Sequence, residues 1–390
     1  MTKGLVTYLA LAVFGCMAMA PCCAQGLKTE TGRLQALIAR LASSDYVIDE
    51  AAKDKRPYVE PTTPVLHAFR HLAAAMAWGD VKDAARQASK LDYELVEFTD
   101  SHTKTEYFVL REDRKRVDPI RGWGSYIVNP HSRIDTLVEV PHPIADAQTP
   151  EIGGLVFENA EAKGFLLAGA HREKADVPDL VDSIFHQVHT AWIGPLARIT
   201  AWQIHGFAGF KHAFPRGAEV VASTGDGEIV PELSSLDALL EDRGLASYVF
   251  NDRAADSRMN KRLNKGVPGV TFTSLAATQN EQGRLSRSLG GAFVHVELET
   301  SIRTKEDTRE VAASVIASAM SGAPDRAADG GQEMLLTSLE TRALRDEKSR
   351  DETEAEKDRA SQLVDRGGES TVSRDHPELA GSETDKEIVR

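Results

Sequence analysis

The feature that most constrains this chain is a series of apolar, strand-like runs that end in histidines. Asp135-Thr-Leu-Val-Glu-Val140 runs into Pro141-His142, Ala162 to Ala168 runs into Gly169-Ala-His171, and Ile199 to Ile204 runs into His205. Short apolar runs of this kind, bounded by turn formers, read as buried strands. Helical stretches, among them Leu180 to Trp192 and Leu236 to Arg243, lie between strands. Such alternation packs as an α/β domain with a mixed, largely parallel central sheet flanked by helices. Ligands of open α/β sheets gather beyond the carboxyl ends of the strands. All three histidines fall at such ends, so the pattern that sets the fold class also points to a site.

Four regions are expected in the 390 residues. Residues 1–25 have the layout of an export signal, with Lys3, an apolar core from Leu5 to Ala20, and Cys22-Cys-Ala24 before Gln25. That core is too short for a confident transmembrane span, and shorter still before Cys16 if this were a lipoprotein anchor. The expectation is therefore an exported protein, periplasmic or secreted, with no membrane span after cleavage. Residues 27–92 read as a mostly helical segment, from the spacing of Leu34, Leu37, Ile38 and Leu41 and of Leu66, Phe69, Leu72 and Met76. Residues 93–323 form the α/β domain, with Val96–Phe98, Glu106–Leu110 and Gly124–Val128 as its first strands. Residues 324–390 contain no aromatic residue, are dense in charge, and read as a disordered tail.

Composition removes several function classes. All three cysteines, Cys16, Cys22 and Cys23, lie in the export segment, which excludes thiol catalysis and cysteine-rich zinc sites in a mature chain. A net charge of −13 argues against a nucleic-acid partner, because neutralising phosphates takes clustered Lys and Arg. The basic run Arg253 to Lys265 could draw in an anionic substrate, or be a solvated face.

Imidazole and carboxylate together bind Zn²⁺ while leaving a coordination position open. His142 and Asp146, both in the loop after a strand, and His205 make a two-histidine, one-carboxylate set of that kind. On the strand Ala292 to Leu298, Glu297 shares a face with His295 and Glu299 and is a candidate general base. Arg172, directly after His171, could clamp a substrate carboxylate or form a structural ion pair. His186 and His189, three apart on an apolar helix, fit oxyanion stabilisation or packing, and Glu139 could support a ligand from behind. His67 and His71 are four apart but have no acidic neighbour, so they read as a helix surface.

Five of these segments, in order across about residues 93–303, resemble the N-formylglutamate amidohydrolase and poly-γ-glutamate hydrolase group, relatives of the zinc carboxypeptidases. Pro141-His142 with its loop acid resembles the first metal-binding motif, and Ala170-His171-Arg172 the strand-end arginine segment. Phe185-His186-Gln-Val-His189 is similar to the helix with paired histidines, and Gln203-Ile-His205-Gly206 to the later metal-binding histidine. Val294-His295-Val-Glu297-Leu resembles the strand bearing the catalytic glutamate. Where the family commonly has Ser-Gly or Gly-Gly after the first histidine, this chain has Pro143-Ile144.

The resemblance implies Zn²⁺ on His142, Asp146 and His205 to activate water, with Glu297 as the proton carrier. Arg172 and His171 would bind the substrate, and His186 or His189 would stabilise the oxyanion. The implied activity is hydrolysis of an amide next to a free carboxylate in a small molecule or peptide, such as an N-acyl amino acid or γ-glutamyl peptide. A non-catalytic metal- or ligand-binding protein on the same scaffold, and an ester or phosphate hydrolase, stay open on the residues alone.

Overall fold

Period-two patterning divides each central strand between two hydrophobic cores, and that division builds the molecule. The computed structural model describes residues 27–194, 199–212, 217–252 and 257–322; the expected export segment and charged tail lie outside them. Ten strands form one mixed sheet. They are β1 (Lys28–Gly32), β2 (Tyr93–Asp100), β3 (Glu106–Glu112), β4 (Ser125–Val128) and β5 (Ile134–Val140). Then come β6 (Ala162–Leu167), β7 (Thr200–Phe207), β8 (Val220–Ser223), β9 (Ser247–Val249) and β10 (Phe293–Glu299). Their order is β1-β2-β3-β4-β6-β5-β7-β10-β8-β9. The central run β6-β5-β7-β10 is parallel throughout, with antiparallel pairings on both sides of it. This is the mixed α/β architecture that the alternation of elements implies.

One face of the sheet carries α1 (Leu34–Leu41), α4 (Thr149–Asn159), α6 (Pro231–Asp242) and α10 (Glu306–Ser321). Val138 and Val140 of β5, Trp202 and Ile204 of β7, and Val294, Val296 and Leu298 of β10 point into that core. The other face carries α2 (Thr63–Ala77), α3 (Val81–Lys90) and α5 (Ile184–Ile193), packed on Leu137, Leu166, Ala201 and Phe293. Successive strand residues point to opposite faces, so Glu139, Gln203, His205, His295 and Glu297 share this second face, toward the carboxyl ends of their strands. The register confirms their adjacency: Glu139 pairs with Gln203, Gln203 with His295, and His205 with Glu297.

The segment 27–92 supplies α1, α2 and α3, with Pro64 in the first turn of α2, where its missing N–H costs nothing. It also supplies β1, which pairs in parallel with β2 at the edge of the sheet. No helix among the described residues is long and apolar enough to cross a membrane.

Candidate metal centre

The loop after β5 is a single helical turn. The Asp146 N–H donates to the His142 carbonyl at 3.0 Å, and Thr149 Oγ1 closes the turn on the Asp146 carbonyl at 2.7 Å. A four-residue separation within such a turn brings both side chains to one side. Arg303, on α9 (Thr300–Thr304), pins this loop to the strand ends. Its guanidinium donates to the carbonyls of Ala147, Leu298 and Phe207. Gly206 is the complement of that arginine. A Cβ there would collide with the guanidinium, so the glycine admits Arg303.

The loop and strand ends wall a cavity of about 600 Å³, lined by His142, Asp146, His205, His295 and Glu297 on one side and by His171, Arg172 and Asp176 on another. His142, Asp146 and His205 are all buried and their ligand atoms lie within 4.8 Å of one another, as do those of His205, His295 and Glu297. His142 Nδ1 is 3.1 Å from Asp146 Oδ2, and His205 Nδ1 is 3.5 Å from the same oxygen. The far nitrogen of each ring is held by an acceptor: His142 Nε2 by Asp176 Oδ1 at 2.7 Å, His205 Nε2 by Gln203 Oε1 at 3.1 Å. A neutral imidazole carries one N–H. With Nε2 donating in both rings, two Nδ1 lone pairs and a carboxylate oxygen converge on one point. Three acceptors facing each other in a buried site call for a cation, either a proton on His142 Nδ1 or a metal ion. Because Nε2 of His205 is engaged, only its Nδ1 remains as a ligand, and that atom serves one ion.

Electrostatics follow the same geometry. Burial opposes charge on His142, but hydrogen bonds to Asp146 and Asp176 outweigh it and raise its pKa to about 9. Burial would raise Asp146, yet the His142 and His205 rings beside it hold it well below the usual carboxylate range. Burial keeps His205 and His295 below the ordinary histidine value. Glu297 is pushed up to about 8, first by burial and then by the charge of Asp146, against the pull of His142, Arg172 and Arg303. Glu297 Oε2 and His295 Nδ1 are buried without a hydrogen-bond partner. Leaving such atoms bare costs about 1–3 kcal/mol each, a cost usually tolerated where something else binds.

A proton on His142 therefore occupies the place a metal would take, and a pH dependence follows. Below about 9 the metal-free protein holds that proton, whereas a metal needs the Nδ1 lone pair bare. Affinity should fall about tenfold per unit as pH drops below that value for this proton alone, and more steeply where Glu297 releases one as well. The cation's charge also drives Glu297 toward its ionised form. Calorimetry at pH 7 in buffers of different ionisation enthalpy should record one to two protons released per ion. Release of none would contradict the arrangement.

The other sequence candidates are placed as follows. Arg172 is half-exposed in the cavity wall, its Nη2 on Asp176 Oδ2 at 3.0 Å. His171 lines the same wall, and its Nδ1 accepts the Glu173 N–H. His186 and His189 do not line the cavity; they stand behind it on α5. His189 Nδ1 is 2.5 Å from Glu139 Oε1, both side chains fully buried, and His186 Nδ1 accepts from Gln282 at 3.0 Å. Glu299 turns away to cap α9, accepting the Ser301 N–H. In the basic run, Arg253 lies outside the described residues and Lys265 pairs with Glu241. Asp176, Gln203 and Arg303 have parts here that the sequence did not single out. Gln203, two residues before His205 on its strand, was the one with a positional cue.

No protein-family model matches the sequence, and no curated protein does. Among solved structures the chain is similar to a gene product of Agrobacterium tumefaciens, with a TM-score of 0.35 at 13% identity over 54% of this chain and 93% of that one. It is also similar to a bacteriophage poly-γ-glutamate hydrolase, with a TM-score of 0.27 at 13% identity over 53% of this chain and 91% of that one. A third is the LapA aminopeptidase of Legionella pneumophila, with a TM-score of 0.28 at 9% identity over 74% of this chain and 69% of that one.

Proposed function

We propose that this chain is an exported, zinc-dependent hydrolase that cleaves an amide bond beside a free carboxylate. The observation that carries the reading is the convergence of His142 Nδ1, His205 Nδ1 and Asp146 Oδ2 in a cavity also lined by Glu297, whose Oε2 has no hydrogen-bond partner. Two imidazoles and a carboxylate, with cavity space on the remaining side, suit zinc in a catalytic rather than a closed structural site. When bound, such an ion supplies Lewis acidity toward a carbonyl oxygen and toward water. Export rests on the pattern of residues 1–25 alone.

Glu297 is the group that moves the proton. It lines the cavity with one oxygen unpartnered, and a carboxyl tuned close to neutrality can take a proton from water and return it to a leaving amine. Arg172 and His171 line the wall where a substrate carboxylate would seat, and Asp176 orients the guanidinium from behind. His186 and His189, the sequence candidates for oxyanion support, do not line the cavity, whereas Arg172 and His171, the candidates for substrate binding, do. The amide substrate is supported by the resemblance of the five motifs.

N-acyl amino acids and γ-glutamyl peptides are the substrates to try, with zinc-loaded and chelator-stripped protein. Hydrolysis that disappears on stripping and returns with zinc is expected. Zinc-loaded protein that turns over none of them would instead favour a binding protein on this scaffold.

A further inference from the structure

A layer of buried polar side chains lies directly behind His205: Gln203, Asn280, Gln282 and Glu139. Asn280 is the N-cap of α8 (Glu281–Ser288). Side-chain amides can be turned over, so the direction of their bonds must come from a partner that cannot turn. Two backbone groups provide it.

The Gly283 N–H donates to Asn280 Oδ1 at 2.8 Å. A backbone N–H only donates, so Asn280 turns its oxygen to the helix and its Nδ2 to Gln203, 2.7 Å away. Nδ2 also only donates, so Gln203 presents Oε1 to Asn280 and Nε2 to Glu139 Oε2 at 2.8 Å. The second anchor agrees. The Val177 carbonyl accepts from Gln282 Nε2 at 3.3 Å, which leaves Gln282 Oε1 to accept from Gln203 Nε2 at 3.2 Å. Gln203 Oε1 is therefore the atom that faces His205 Nε2, and an amide oxygen only accepts.

We infer that the N-cap of α8 sets the tautomer of His205: Asn280, acting through Gln203, holds the ring proton on Nε2 and keeps Nδ1 bare for a cation. The inference rests on the proposed metal reading. Asn280 and Gln203 are positioning residues in it, because they act on the ion only through His205. The two histidines are supported differently. Asp176 anchors His142 with a carboxylate, whereas His205 depends on neutral amides whose orientation starts at a helix end. Outer partners of this kind fix the tautomer and ring direction of metal-binding histidines.

Asn280→Asp separates this role from a structural one. The substitution keeps an acceptor for the Gly283 N–H, so the cap of α8 survives, but it replaces the donor facing Gln203 by a carboxylate oxygen. Gln203 Oε1 then faces a carboxylate, which favours turning the amide to offer Nε2 to His205 at the expense of its bonds to Glu139 and Gln282, and so moves the ring proton onto Nδ1. The expected results are an unchanged circular dichroism spectrum and zinc affinity lowered about 10–100-fold. The His205 ¹⁵N signals of the metal-free protein should shift from the Nε2–H to the Nδ1–H pattern. Asn280→Ser, which keeps a cap acceptor and adds no charge, should lose less affinity. Parent-like zinc affinity in folded Asn280→Asp would overturn the inference, and so would an Nδ1–H signature for His205 in the metal-free parent. The parent spectrum decides the matter even if the variant does not fold. A parent that binds no zinc but shows the Nε2–H pattern would sink the metal reading and leave the tautomer assignment standing.

Discussion

Glu297→Gln should keep its zinc and lose about 10²–10⁴-fold in turnover, the usual contribution of positioned proton transfer. The substitution is isosteric, and the three converging ligand atoms belong to other residues. What it removes is a buried carboxyl whose Oε2 has no partner and whose pKa stands near 8. An amide cannot carry a proton from water to a leaving amine. Glu299→Gln, two residues along the same strand, should act on stability and leave turnover near the parent value, because Glu299 caps α9 and accepts the Gly209 N–H. Glutamine keeps one acceptor oxygen for these two N–H groups, so the cost should stay within the roughly 0.5–2 kcal/mol of a lost cap. Rates with zinc content measured on the same samples give the comparison. An active Glu297→Gln enzyme, or one that has lost its zinc, would remove Glu297 from the role of base.

His205→Ala should abolish stoichiometric zinc binding, and His142→Ala should do the same. Each deletes one of three converging acceptors, so the loss should exceed the roughly 10–100-fold that an outer partner is worth. Neither change opens the first core, since Trp202 and Ile204 of β7, and Val138 and Val140 of β5, pack on the opposite face of the sheet from His205, and both imidazoles line the cavity. Folded but zinc-free variants are therefore the expected outcome. Elemental analysis after gel filtration provides the test, and variants that still carry one zinc per chain would contradict it.

The strands that build the centre were legible because they are buried on both faces. β5, β6, β7 and β10 each read as an apolar run, and in β7 and β10 the alternating polar residues Gln203, His205, His295 and Glu297 face the cavity or the layer behind it. β1 was not legible: Lys-Thr-Glu-Thr-Gly has no apolar alternation, and it is a strand because β2 offers it an edge. β8 and β9 are too short, at four and three residues, for any period to appear. Helix spacing put His186 and His189 together on an apolar helix, but it cannot say which neighbours that face meets. The answer, Gln282 and Glu139, comes from elements 96 and 50 residues away. Asp176 was hidden for the same reason. Its bond to His142 spans 34 residues and depends on two loops meeting above the sheet.

On the proposed reading a zinc ion sits between His142, Asp146 and His205. Anomalous diffraction at the zinc absorption edge, from crystals of protein purified with zinc, tests it most directly. A single peak about 2.0–2.2 Å from Nδ1 of both histidines and from a carboxylate oxygen of Asp146 is predicted. A peak held by His295 and Glu297 without His142, or stoichiometric zinc with no peak in this cavity, would contradict it.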